Sequence, residues 1–223
     1  LRSYKAPISE SKSKIDEAAK LLASAKKPMV YAGGGVILGN AHKELAALVK
    51  NIGYPITNTL MGLGCYPATD NQFLGMLGMH GTYEANMAMH DCDVLLAVGA
   101  RFDDRVTGDT SKFCPSAKII HIDVDPSSIS KIIEVDLSLV GETSKILRDL
   151  NKAVKPYLKN INKSALKRWW TQIDKWRTKK CLSYKKSKTI IKPQSVIETL
   201  YEITKGNAYV TSDVGQHQMW AAQ

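Results

Sequence analysis

No stretch of this 223-residue chain approaches the ~18 consecutive apolar residues a membrane-crossing helix requires, so a helical span is excluded. There is no CxxC pair: the four cysteines, Cys65, Cys92, Cys114 and Cys181, lie far apart, which removes zinc-ribbon and thioredoxin-type sites. Scattered thiols of this kind fit a reducing compartment and ordinary packing. There is no P-loop, and no Ser-His-Asp or Cys-His order can be read. His80 and His217 each lack a second His or Cys at ligand spacing, so no metal site is expected within the chain. The opening Leu1-Arg2-Ser3-Tyr4 has neither an initiator Met nor the charged-then-apolar layout of a secretory leader. With an end at Gln223 shortly after a strand-like run, the chain is expected to be a fragment.

What is present is an ordinary globular composition, 44% hydrophobic and 23% charged, with a formal charge of +10. That charge is local. Residues 152–192 hold 14 Lys/Arg against one acid, Asp174, whereas the rest has 17 Lys/Arg against 20 acids. Within the basic stretch Trp169, Ile173 and Trp176 are spaced i, i+4, i+7 and make one apolar helix stripe. A basic, aromatic-bearing helix suits RNA, but aromatics confined to one face suit docking better. The stretch therefore reads as an interdomain connector with a solvated basic face, and no nucleic-acid partner is expected.

From residue 11 to 155 helical and strand patterns alternate. Ile15, Ala18, Ala19, Leu22 and Ala25 recur at helical spacing until Pro28. Strands are expected at 28–32, 54–58, 93–99, 118–123 and 137–140, with helices capped by Asn40 and stopped by Gly53, at about 82–90, and over 146–154. A Gly-rich stretch occupies 61–81. The runs at 93–99 and 118–123 are apolar throughout, as in strands buried on both faces. This pattern implies an α/β fold: a parallel sheet flanked by helices, Rossmann-like. Beyond Pro193 a helix runs to Gly206, followed by a strand at 207–212 and a turn at 213–217, the start of a second α/β domain. In parallel sheets ligands sit at the carboxyl ends of strands, which singles out the turns after each apolar run.

Gly33, Gly34 and Gly35 allow close backbone approach and positive φ, but Leu38 stands where a dinucleotide fingerprint needs a small residue. A tight turn and a binding loop stay equally open. Arg101-Phe-Asp-Asp-Arg105 concentrates charge after a buried strand; it is either a surface salt-bridge cluster or a ligand site, with arginine forks suited to carboxylate or phosphate. Asp123 is the better acceptor for ribose hydroxyls, while Asp125 fits a cap before Pro126. Met61, Met76, Met79, Met87 and Met89 cluster, either lining a pocket for a flat cofactor or packing the core.

Met61-Gly-Leu-Gly, Leu74-Gly-Met-Leu-Gly-Met-His-Gly-Thr-Tyr-Glu-Ala-Asn86, Arg101-Phe-Asp-Asp-Arg-Val106, His121-Ile-Asp-Val-Asp-Pro126 and Thr211-Ser-Asp-Val-Gly-Gln-His-Gln-Met219 resemble the catalytic subunits of the acetolactate synthase family. The resemblance covers nearly the whole chain. It implies a central FAD-binding domain over 1–155, a connector over 156–190, and the opening of the thiamine-diphosphate-binding domain over 191–223. It implies that FAD is lined by Gly33, Gly34, Gly35, Thr59, Leu60, Met61, Leu77, Gly78, Met79, His80, Gly99, Ala100, Arg101, Asp103, Arg105 and Val106. Asp123, Val124, Glu142 and Thr143 would hold its adenosine end, and Val214, Gly215, Gln216 and His217 would meet the diphosphate of thiamine diphosphate. Arg105 would also anchor the carboxylate of the incoming 2-oxoacid.

The reaction implied is condensation of two pyruvates, or of pyruvate with 2-oxobutanoate, with release of CO2, in branched-chain amino acid biosynthesis. FAD would be structural, since nothing is oxidised. The catalytic glutamate would precede this stretch and the Mg2+ ligands would follow Gln223, so the stretch alone is expected to be inactive. A homodimer or tetramer with a small regulatory subunit is implied, in a bacterial cytoplasm or a plastid stroma. Pyruvate oxidase and glyoxylate carboligase types are weaker relatives, and a stand-alone nucleotide-binding module is the alternative outside the family.

Overall fold

Four segments of this chain are apolar enough to be covered on both faces, and they form the middle of one sheet. The structure, a computed structural model, describes residues 10–223; the first nine residues of the expected 1–155 domain, with the chain's opening, lie outside the described residues. In chain order the elements are α1 (Lys12–Ser24), β1 (Pro28–Ala32), α2 (Gly34–Leu38), α3 (His42–Ile52), β2 (Ile56–Asn58), β3 (Phe73–Met76), α4 (Tyr83–Asp91) and β4 (Val94–Val98). Then follow α5 (Asp104–Thr107), β5 (Lys118–Asp123), β6 (Leu137–Val140), α6 (Thr143–Val154), α7 (Lys163–Arg177), α8 (Pro193–Thr204) and α9 (Gln216–Ala222). β1, β2 and β4 are buried at every position, and β5 at all but its first.

The six strands are all parallel in the order β3-β2-β1-β4-β5-β6. That order reverses direction between β1 and β4, the topological switch point where open α/β sheets bind ligands. On one face α1, α3 and α6 pack through Ile15, Leu22, Leu45, Leu48, Leu147 and Leu150. On the other, α4 and α7 pack through Ala85, Met89, Trp169, Ile173 and Trp176. Local devices set the joints. Ser11 Oγ accepts from the Lys14 N–H to start α1, and Gly53, at φ 72°, ends α3 in the left-handed region. The Asp93 carboxylate accepts the N–H groups of Lys26 and Lys27 at 2.9 and 2.8 Å, tying the turn before β1 to the start of β4.

Three expectations need correction. Asn40 does not cap α3: it sits at φ 47°, a conformation asparagine tolerates, and Ala41 takes the cap position without a side-chain bond. The Gly-rich stretch contains the edge strand β3, hidden in the sequence because Gly75, at φ 87°, interrupts its apolar pattern. Residues 207–212 form no strand; Tyr209 and Val210 stand exposed, with no strand beside them among the described residues to take their N–H and C=O groups.

The tryptophan stripe of α7 docks on the sheet. Trp169 Nε1 donates to the Pro28 carbonyl at 3.0 Å and Trp170 Nε1 to that of Gly53 at 3.0 Å, while Arg177 Nη2 donates to Asn71 O at 2.7 Å and Phe73 O at 3.1 Å. The aromatic stripe is spent on the sheet, and Lys163, Lys167, Arg168 and Lys175 face water. Past Trp176 no described residue is buried. No described helix is long and apolar enough to cross a membrane.

Candidate functional site at the carboxyl edge of the sheet

Because every strand runs the same way, the six turns that follow them lie along one edge. Gly33, Gly34 and Gly35 follow β1; Thr59, Leu60 and Met61 follow β2; Leu77, Gly78, Met79 and His80 follow β3. Gly99, Ala100, Arg101, Asp103, Arg105 and Val106 follow β4, Asp123 and Val124 close β5, and Glu142 and Thr143 follow β6. The residues expected to line one cofactor are thus brought together. Val214, Gly215, Gln216 and His217 lie at and before the start of α9, and Gln223, just past its end, donates from Nε2 to His80 O at 3.1 Å.

At the switch point backbone meets backbone. Gly33 N–H donates to Val98 O at 2.9 Å, Gly35 N–H to Gly99 O at 3.0 Å, and Gly99 N–H to Ile122 O at 2.8 Å. A Cβ on Gly33 would overlap Gly99 O, and one on Gly35 would stand 2.7 Å from Gly99 Cα. Gly99 itself is at φ 57°. Gly33 and Gly35 are therefore glycine for close packing, which favours the tight-turn reading for those two. Gly34 is different: its Cβ would face Met61 Cβ at 3.2 Å across the mouth of the edge.

The 101–105 loop is anchored by its one apolar residue. Phe102 is buried at φ 55°, with ring centroids 6.0 Å from Tyr31, 6.0 Å from Phe113 and 5.1 Å from His121. Burying Phe102 leaves Arg101, Asp103, Asp104 and Arg105 outside. Asp103 caps α5, its Oδ1 accepting the Arg105 N–H at 3.2 Å, and its Oδ2 pairs with Arg101 Nη2 at 3.3 Å. The Arg105 N–H, then Asp104 and the two guanidinium charges, hold the Asp103 carboxyl below its ordinary pKa. Both groups of the Arg101 pair are well exposed, so the pair adds little stability. The acids order this loop and the arginines project from it.

Beneath the loop lies His121, which the sequence reading passed over. It is fully buried, and Nε2 donates to Ala100 O at 2.9 Å; an acceptor there requires the proton on Nε2. Burial lowers its pKa, against the pull of Asp123 and the Ala100 carbonyl, so the ring is neutral. Its Nδ1 and the Tyr31 hydroxyl, both beside Phe102, are buried polar atoms without a hydrogen-bond partner among the described residues. Asp123 is buried as well and its Oδ1 accepts the Asp125 N–H at 2.9 Å, while Asp125 caps the turn at Pro126–Ser128 as expected.

The methionines divide. Met76 and Met89 are core and Met87 is half-buried, whereas Met61 and Met79 are 74% and 70% exposed on the edge with Leu60 and Val124. Glu142 is exposed and accepts the Ser144 hydroxyl at 3.0 Å; Thr143 is buried beside Gly39. Asn86, on α4, was not singled out, yet its side chain bonds Gly78 twice. No signal in the sequence marks it beyond its place in a turn-rich motif. Among the described residues, no cluster of three or more His, Cys, Asp or Glu is placed to hold a metal.

Chemically the edge offers flat apolar surface (Leu60, Met61, Met79, Val124), two exposed guanidinium groups, glycine backbone at its centre and carboxylates toward β5 and β6. That donor set suits a long ligand with an aromatic ring, an anionic middle and hydroxylated sugar, and so fits a flavin dinucleotide.

The profile of the thiamine pyrophosphate enzyme central domain matches residues 15–150. The chain is 49% identical over 222 residues to the acetolactate synthase isozyme 3 large subunit of Escherichia coli (strain K12), which covers all of this chain and 39% of that protein. It is 48% identical over 228 residues to the acetolactate synthase large subunit of Haemophilus influenzae, again all of this chain and 39% of the relative. With the acetolactate synthase large subunit of Cyanidium caldarium it shares 40% over 209 residues, 94% of this chain and 36% of the relative. The chain spans about 39% of the length of the first two relatives.

Proposed function

The chain belongs to the thiamine pyrophosphate enzyme family through its central domain, and from that premise we propose that it is part of an acetolactate synthase large subunit. The whole subunit would condense two pyruvates to 2-acetolactate, or pyruvate with 2-oxobutanoate, releasing CO2. The observation that carries this reading is the alignment of all six turns on one sheet edge, in a chain matched end to end by proteins named acetolactate synthase.

In this reading residues 1–155 are the FAD-binding domain, 156–190 the connector, and 191–223 the start of the thiamine-diphosphate domain. The apolar side chains of Leu60, Met61 and Met79 cover the ring of FAD, Arg101 offers its fork to the anionic middle, and Asp123 and Glu142 accept from sugar hydroxyls. FAD then acts as a structural group, because the net reaction oxidises nothing. Arg105 binds the carboxylate of the 2-oxoacid in bidentate fashion. Gln216 and His217 donate to the diphosphate of thiamine diphosphate, which supplies the carbanion chemistry when bound. The Mg2+ ligands, a homo-oligomeric assembly, a small regulatory subunit and a cytoplasmic or plastid-stromal location belong to the same proposal.

The test uses the full-length protein. Its absorption spectrum is expected to show a bound flavin, lost when Arg101→Ala and Asp103→Ala are combined with thermal stability little changed. Given thiamine diphosphate and Mg2+, it is expected to form acetolactate from pyruvate. A colourless protein that retains thiamine diphosphate points to a non-flavin relative; one that takes neither cofactor leaves only the fold.

A further inference from the structure

The turn between β3 and α4 must place Leu77, Gly78, Met79 and His80 on the edge. Asn86, one turn inside α4, does this with a single carboxamide. Its Oδ1 accepts the Gly78 N–H at 3.1 Å, and its Nδ2 donates to Gly78 O at 3.0 Å and to Thr82 O at 3.0 Å. Both polar groups of one residue are thus taken by one side chain, which fixes the orientation of the peptide planes on either side of Gly78. Gly78 is at φ 98°, and a Cβ there would lie 3.0 Å from Arg105 O and 3.2 Å from Val106 Cγ2. From the far side the Met79 N–H reaches Arg105 O at 3.4 Å. The turn is therefore held between α4 on one side and the backbone of the 101–106 loop on the other. Thr82, which caps α4 through its bond to the Ala85 N–H, fixes the other end of the turn.

We propose that Asn86 is a positioning residue: its double bond to Gly78 sets the 77–80 turn against the Arg105 backbone and holds Met79 and His80 in the geometry that receives the flavin. The proposal rests on the FAD reading. Asn86 acts through Gly78, by supplying the one conformation of a turn whose glycine would otherwise sample many.

The experiment compares Asn86→Leu and Asn86→Asp with wild type in the full-length protein. It reads amide hydrogen exchange at Gly78 and Met79, FAD affinity by flavin fluorescence titration, and thermal stability. In Asn86→Leu, similar in volume but without polar atoms, exchange at Gly78 is expected to quicken and FAD affinity to fall about tenfold or more. Asn86→Asp keeps an acceptor for the Gly78 N–H and loses both donors, so an intermediate loss is expected; it also serves if the leucine variant does not fold. Faster exchange with wild-type FAD affinity overturns the proposal, as does unchanged exchange in both variants. A wild-type protein that takes up no FAD overturns the cofactor reading first and the proposal with it, and that failure is visible before any variant is made.

Discussion

Gly33, Gly35 and Gly99 pack backbone on backbone at the one point where the sheet changes direction, and each would be damaged by a single methyl group. Gly33→Ala is expected to cost about 1–3 kcal/mol, the range for an added methylene with nowhere to go, readable in urea unfolding. Gly34→Ala, whose Cβ would meet only Met61, is expected to cost less than 1 kcal/mol while narrowing the site mouth, so its effect belongs to ligand affinity. His121 yields a pH prediction. The unfolded imidazole takes a proton near the ordinary value of 6.5, and the buried ring only at lower pH. Acid therefore favours the unfolded chain: the stability of the neutral ring is fully present above 6.5 and is lost as pH falls below it, by at most ~1.4 kcal/mol per pH unit. His121→Gln is expected to flatten that slope between pH 6.5 and 5 in chemical unfolding. The glycine triplet was legible as a special backbone site, but not which of its members packs and which opens onto the sheet edge. That depends on Gly99, 64 residues after Gly35, and only the pairing of β1 with β4 brings them together.

At the level of elements, the helices and inner strands follow from local pattern. β4 and β5 are apolar on both faces because both faces are covered, and α7 shows a seam of Trp169, Ile173 and Trp176 because only that face docks. Trp169→Ala is expected to destabilise by about 3–5 kcal/mol, through the cavity and the loss of its bond to the Pro28 carbonyl. Lys167→Ala and Lys175→Ala, on the opposite face, are expected to stay within ~0.5 kcal/mol in the same thermal or denaturant measurement. The elements that sequence pattern misjudged are those whose state depends on a distant neighbour. β3 exists because β2 pairs with it, despite Gly75. Residues 207–212, apolar and strand-like, stay unpaired because no strand lies alongside among the described residues.

On the scale of the whole molecule, burial stops at Trp176, although the chain continues for 47 residues. Shortening the chain after Lys180 is accordingly expected to change its unfolding free energy by no more than about 1 kcal/mol, since none of the deleted residues is itself buried. A larger loss would mean that α8 and α9 support the sheet. The exposed Val196, Leu200, Tyr201 and Ile203 of α8 add apolar surface, so the shortened chain is also expected to be the more soluble one in a concentration series.

Sequence by itself determined the class of fold, the docking face of α7 and the loops that carry the candidate site, because these follow from short-range periodicity and from turn residues next to apolar runs. Its long motifs also carried the family, through residues whose types and order are specific. Tertiary structure decided the strand order, with its switch point between β1 and β4, and so the crossing of Gly33 and Gly35 with Gly99. It decided that Phe102 is a wedge and His121 its neutral neighbour, that Met61 and Met79 face outward while Met76 and Met89 do not, and that Asn86 holds Gly78. Each of these rests on groups that chain closure brings together from different elements, and a side chain's partner across the sheet leaves no trace in the residues beside it.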